Sequence, residues 1–76
     1  MTIIPWPRTG FLARQRRLGA PNGRMRWQSL SGDEYYEWDS QHGHVEVYNK
    51  RGRHIGVLDC EGVVIGKPVQ GRRIDV

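Results

Sequence analysis

Residues 34–48 read EYYEWDSQHGHVEVY, and the alternation within them decides the fold. Tyr36, Trp38, Val45 and Val47 fall at every second position, which is the period of a half-buried strand. A two-residue turn at Ser40 and Gln41 would set Asp39 opposite His42, Glu37 opposite His44 and Tyr35 opposite Glu46. Directly opposed residues share a face, so this register separates two surfaces. One carries the aromatic rings and valines. The other carries carboxylates, two histidines, Tyr35 and Tyr48.

The same short-strand pattern continues in HIGVL, VVI and RRIDV, separated by NKRG, DCEG and GKPVQG. Short strands with turn signals at close spacing indicate an antiparallel meander. Upstream, Thr9 is a helix N-cap candidate and Gly19 a stop, with GFLARQRRL between them. The expected class is α+β: a small, highly twisted antiparallel sheet of about five strands with a short N-terminal helix. Residues 1–26 read as a basic arm and 27–76 as the β body of a single domain.

At 76 residues the chain has room for one small core. Its charge is unevenly distributed. Arg8, Arg14, Arg16, Arg17, Arg24 and Arg26 precede Trp27 with no acid among them, whereas from Gln28 onward six basic residues meet eight acidic ones. A basic arm on a slightly acidic body suits an anionic partner such as nucleic acid. Cys60 is the only cysteine. That excludes an internal disulfide and a cysteine-rich zinc site, and Cys60 reads as a semi-buried turn residue. No run is long enough to span a membrane. MTIIPWPRTG is too short and proline-broken for a signal peptide, so the chain reads as soluble and unprocessed.

Two histidines and several carboxylates on one sheet face support three readings. The first is an ordinary solvated face. The second is a metal site with His42 and His44 as ligands, completed by Asp39, Glu46 or His54. The third is metal-free acid–base chemistry on RNA. That needs a base for the ribose 2′-hydroxyl, an acid for the departing 5′-oxygen and a cation beside the phosphorane. Glu46, His42 and an arginine supply these three. No P-loop, nucleotide fingerprint or serine triad competes.

YEWDSQHG at 36–43, with Glu46, Tyr48 and the later HIGVLD, closely resembles the cytotoxic ribonuclease domain of cloacin and the ribosomal-RNA-cleaving E-group colicins. The resemblance runs from about Trp27 to the C-terminus. It implies a bacterial toxin that cuts small-subunit ribosomal RNA at the decoding site, delivered into the cytoplasm of a target cell. It also implies an acidic cognate immunity protein and a reaction without a cofactor.

Carried over residue by residue, the resemblance places the catalytic Asp, His and Glu on Asp39, His42 and Glu46, and the arginine on Arg72. Tyr48 matches an active-site tyrosine. His44 stands where the family pattern has a second glutamate, so it can share the acid or base role. A one-residue shift would exchange Arg72 for Arg73. The expected RNA contacts are Arg14, Arg16, Arg17, Arg24 and Arg26 of the arm, with Lys50, Arg51, Arg53 and Lys67 of the body.

Overall fold

The computed structural model describes residues 3–76. Among them, six strands form one antiparallel sheet in simple sequence order: β1 (Arg16–Gly19), β2 (Arg26–Gln28), β3 (Glu34–Asp39), β4 (His44–Asn49), β5 (His54–Leu58) and β6 (Val64–Gly66). The meander and four of its expected strands are present. The other two strands lie upstream, β1 overlapping the stretch where a helix was expected and β2 following the 19–24 loop, and RRIDV contributes only an isolated bridge between Arg53 and Arg73.

The helix is a correction. Leu12–Arg14 makes a single 3-10 turn, and the chain is already extended at Gln15 before β1 begins. A helix of nine residues is too short to sustain itself without a wide apolar face. Here the adjacent Phe11 and Leu12 both turn toward the core, while Arg17 pairs with Trp27 in the sheet. Strand β1 therefore lies wholly within the stretch read as an arm, and β2 begins there.

The core occupies one sheet face. Trp27, Tyr36, Trp38, Val45, Val47 and Leu58 contribute to it from the strands, and Leu12 closes it from the N-terminal segment with Trp6, Phe11 and Met25 at its margin. Trp6 meets Trp27 edge-on, as Phe11 meets Tyr36. Such aromatic pairs contribute about 0.5–1.5 kcal/mol each beyond their burial. The N-terminal segment is also tied by polar contacts. The Trp38 indole N–H donates to the Ile4 carbonyl, and the Ile4 N–H donates to Ser40.

The central hairpin corrects the expected register. Residues 40–43 form a four-residue turn, so Glu37 stands opposite Glu46, Tyr35 opposite Tyr48 and Asp39 opposite His44. Gly43 makes this turn possible, with φ at 71° and its N–H bonded to the Asp39 carbonyl. The shift is two residues, so every strand side chain keeps the face that alternation assigned to it. Only His42 and Gly43 leave the sheet, for the turn. Cys60 also sits in a turn, exposed rather than semi-buried.

Candidate active site

The face opposite the core holds an open cleft of about 420 Å³, lined by Arg24, Glu37, Asp39, Gln41, His42, Glu46, Tyr48, Arg72 and Arg73. Strand alternation places Glu37, Asp39, Glu46 and Tyr48 here. The turn adds His42, and the C-terminal tail adds the two arginines.

His42 is 60% exposed at its side chain, yet it is anchored. Its Nδ1 lies 2.7 Å from Asp39 Oδ2. The other oxygen, Asp39 Oδ1, accepts the backbone N–H groups of Gln41 and His42. Burial pushes the Asp39 carboxyl up, but these hydrogen bonds and the charge of His42 outweigh it, and the carboxyl is held below its ordinary value. With Nδ1 donating to a carboxylate, Nε2 is the ring atom left for proton transfer. His44 stacks beside His42, the two rings 6.1 Å apart and 20° from parallel.

Glu46 is 4% exposed and is met from two sides. Arg72 Nη1 donates to its Oε1 at 2.5 Å, and His54 Nε2 lies 3.1 Å from the same oxygen. Both contacts use Oε1, which leaves Oε2 for a substrate. Arg73 lines the same cleft, but Arg72 is the one that reaches Glu46. Two backbone bonds on the tail hold Arg72 in place: its carbonyl accepts from His54 N–H, and the Ile74 N–H donates to Gly52.

Tyr48 is almost fully buried at the cleft floor. Burial and then the charges of Glu37 and Glu46 push its phenol up, with Arg72 and Arg24 pulling partly the other way. It therefore remains a neutral hydroxyl at physiological pH.

The RNA-contact candidates divide. Arg14, Arg16, Arg17, Arg24, Lys50, Arg51, Arg53 and Lys67 are exposed, and Arg17 lies near the Trp6 ring at 5.7 Å. Arg26 does not belong with them. It is buried, with Nε donating to Glu37 Oε2 at 2.9 Å and Nη1 to the Asp75 carbonyl at 2.8 Å. Its role is to neutralise Glu37 and hold the tail, because a buried carboxylate requires a partner.

The metal set considered from sequence is not assembled. No group of three or more His, Cys, Asp or Glu side chains among the described residues is placed to hold an ion. His54 in particular turns one ring nitrogen to Glu46 and the other to Val69 N–H. Two residues of the site were not expected as members. Glu37 was legible from alternation, but its buried arginine partner was not. His54 was weighed only as a metal ligand.

A cytotoxic domain is the class that this sheet and cleft define: the family model described as Cytotoxic matches residues 13–75. The chain belongs to the family of cytotoxic ribonuclease domains of cloacin and the E-group colicins. It is 41% identical to cloacin of Escherichia coli over 56 residues, which is 72% of this chain and 9% of cloacin. To colicin E3 of the same species it is 49% identical over 37 residues, 47% of this chain and 7% of that protein. To colicin E6 of Escherichia coli it is 46% identical over 44 residues, 57% of this chain and 8% of that protein. The chain thus spans less than a tenth of each relative. The family match begins at Ala13, so it takes in β1 and reaches well before Trp27.

No helix among the described residues is long and apolar enough to cross a membrane.

Proposed function

We propose that this chain is the ribonuclease domain of a bacteriocin-type toxin that cuts small-subunit ribosomal RNA at the decoding site by transesterification, without a metal ion. One observation carries the reading: His42, held by Asp39, and Glu46, held by Arg72, open on one cleft.

The step balances within that cleft. Glu46 takes the proton from a ribose 2′-hydroxyl, and the freed oxygen attacks the adjacent phosphorus. The bond from phosphorus to O5′ breaks as His42 gives its proton to the departing oxygen. Arg72 sits beside Glu46, where its guanidinium can stabilise the charge that builds on the phosphorane. The products are a 2′,3′-cyclic phosphate and a 5′-hydroxyl. Asp39 fixes the imidazole so that Nε2 serves the leaving group. His44, stacked on His42, is placed to share the acid role, and Tyr48 offers a neutral hydroxyl to the phosphate.

The exposed arginines of 14–24 supply affinity for RNA phosphates, together with Lys50, Arg51, Arg53 and Lys67. The same cations suit an acidic immunity protein that protects the producing cell. The site of action is the cytoplasm of the target cell.

The test is incubation of intact ribosomes with wild-type chain, with and without chelator, beside His42→Ala and Glu46→Gln. A discrete small-subunit fragment ending in a cyclic phosphate, unaffected by chelator and absent with both variants, is expected. Loss of the fragment with chelator would assign the cleavage to a metal. Absence of any fragment with the wild type would make this an RNA- or protein-binding module.

A further inference from the structure

His54 is the most enclosed titratable side chain near the cleft, with none of its side chain exposed. The mechanism above assigns it no proton. Three hydrogen bonds nevertheless converge on it. Its Nδ1 accepts the Val69 N–H at 2.9 Å, its Nε2 faces Glu46 Oε1 at 3.1 Å, and its own backbone N–H donates to the Arg72 carbonyl at 3.0 Å.

The protonation pattern follows from the partners. A backbone N–H can only donate, so Nδ1 presents its lone pair and carries no proton. The ring proton is then on Nε2, where it donates to the carboxylate. A cationic ring would set two N–H groups against each other at Val69. The charged and titratable groups around the ring are Glu46 and Tyr48 of β4 and Arg72 of the tail. Tyr48 meets the ring edge-on at 5.3 Å, and Arg72 bonds the same Glu46 oxygen.

We infer that His54 is a positioning residue, fixed as the neutral Nε2–H tautomer, that couples the orientation of the Glu46 carboxylate to the seating of the segment carrying Arg72. Its ring sets which Glu46 oxygen is engaged and which is free. The other ring nitrogen and the backbone hold residues 69–72, so that Arg72 arrives at that same engaged oxygen. The base and the phosphate-stabilising cation thereby share one buried support that does not itself touch substrate.

The kinetic consequence rests on the ribonuclease reading, whereas the tautomer does not, and the experiment separates them. Two variants each keep half of the support. His54→Gln places an amide N–H near the Nε2 position and keeps the Glu46 contact. His54→Asn places a carbonyl oxygen near the Nδ1 position and keeps the Val69 contact. On ribosomes, H54N should lose kcat by about 100-fold with KM little changed, a typical consequence of misorienting a reacting group. H54Q should lose kcat too, but several-fold less than H54N, because the backbone N–H of residue 54 still holds the Arg72 carbonyl when the Val69 contact is gone. Equal losses in both variants, tracking their melting temperatures, would reduce His54 to a core residue and overturn the inference.

Nitrogen-15 NMR of the wild-type ring, at neutral pH, gives a reading independent of cleavage. A protonated Nε2 and a bare Nδ1 are expected. A proton on Nδ1, or a cationic ring, would overturn the inference even if ribosomes are cut. The expected tautomer in a chain that cuts nothing would overturn the ribonuclease reading instead.

Discussion

Glu37 and Glu46 stand directly opposite one another on β3 and β4, each 4% exposed, and each is met by a different arginine. Like charges in that relationship destabilise a sheet. Arg26 from β2 neutralises the first, and Arg72 from the C-terminal tail neutralises the second. The pairing puts two carboxylates on one cleft floor and gives only one of them, Glu46, a neighbour suited to phosphate. It also makes the tail part of the site, because Arg26 holds the Asp75 carbonyl as well.

Removing Arg26 should therefore unfold more than it disarms. Arg26→Met leaves Glu37 buried and unpaired opposite Glu46, a change that typically costs about 3–5 kcal/mol. Urea unfolding should show a loss of that size. The double variant Arg26→Met with Glu37→Leu should recover most of it, and a single variant as stable as wild type would contradict the assignment.

Gly52 should be equally sensitive for a steric reason. Its φ is 83°, and a Cβ there would overlap the Ile74 carbonyl oxygen, which its own backbone faces across the tail. Gly52→Ala should destabilise the chain by about 1–3 kcal/mol. It should lower cleavage more than stability accounts for, because the displaced tail carries Arg72. Denaturant midpoints measured beside ribosome cleavage at a temperature where the variant is folded would check both.

Asp39 makes an acid-range prediction. Its carboxyl is lower in the folded chain than in the unfolded one: burial raises it, but the His42 ring, two backbone N–H groups and the His42 charge more than offset that. A carboxyl lowered in this way contributes stability above its unfolded value, and the contribution disappears as pH falls through the folded value. Wild-type unfolding free energy should fall more steeply below about pH 4 than that of Asp39→Asn. Parallel acid limbs would refute this.

Tyr48 works in the opposite direction. Its phenol is raised by burial, then by Glu37 and Glu46, against Arg72 and Arg24. The stability this contributes is complete below the unfolded value near ~10 and is lost as pH rises through the higher folded value. Absorbance near 295 nm should show two phenols ionising late, Tyr36 as well as Tyr48, and Tyr48→Phe should remove one of the two.

The exposed arginines 14, 16 and 17 are tested by salt. Each one that holds a phosphate should, when replaced by alanine, lower the slope of log affinity against log salt by roughly 0.7–0.9. Binding of decoding-site RNA measured across salt concentrations reads this directly. An unchanged slope in all three variants would limit this region to its structural part in β1.

Much of the site was legible because strand alternation survives a register error. Residues 34–48 were expected to turn over two residues and in fact turn over four. A shift of two keeps every side chain on its face, so Trp38 and the valines still point to the core and Glu46 and Tyr48 to the cleft. The N-terminal stretch was less legible. Its arginines and lone leucines fit a weak helix as well as a strand, and only pairing of Arg17 with Trp27 decides between them.

Sequence alone determined the two faces of the central hairpin and the run of Asp39, His42, Glu46 and Tyr48 that carries the family resemblance, since both are local properties of a short segment. Tertiary structure decided the partners. Strict alternation along β5 would send His54 to the core side with Leu58. Instead the register between β4 and β5 shifts by one residue at Ile55, so Val47 faces Gly56 while Tyr48 faces His54. That bulge turns Ile55 outward and His54 beneath Glu46, because one unpaired residue reverses the parity of everything beyond it. Arg26 was removed from the basic surface in the same way, by a buried carboxylate eleven residues along the chain. A contact of that kind depends on how strands pair, and pairing is set by the whole sheet.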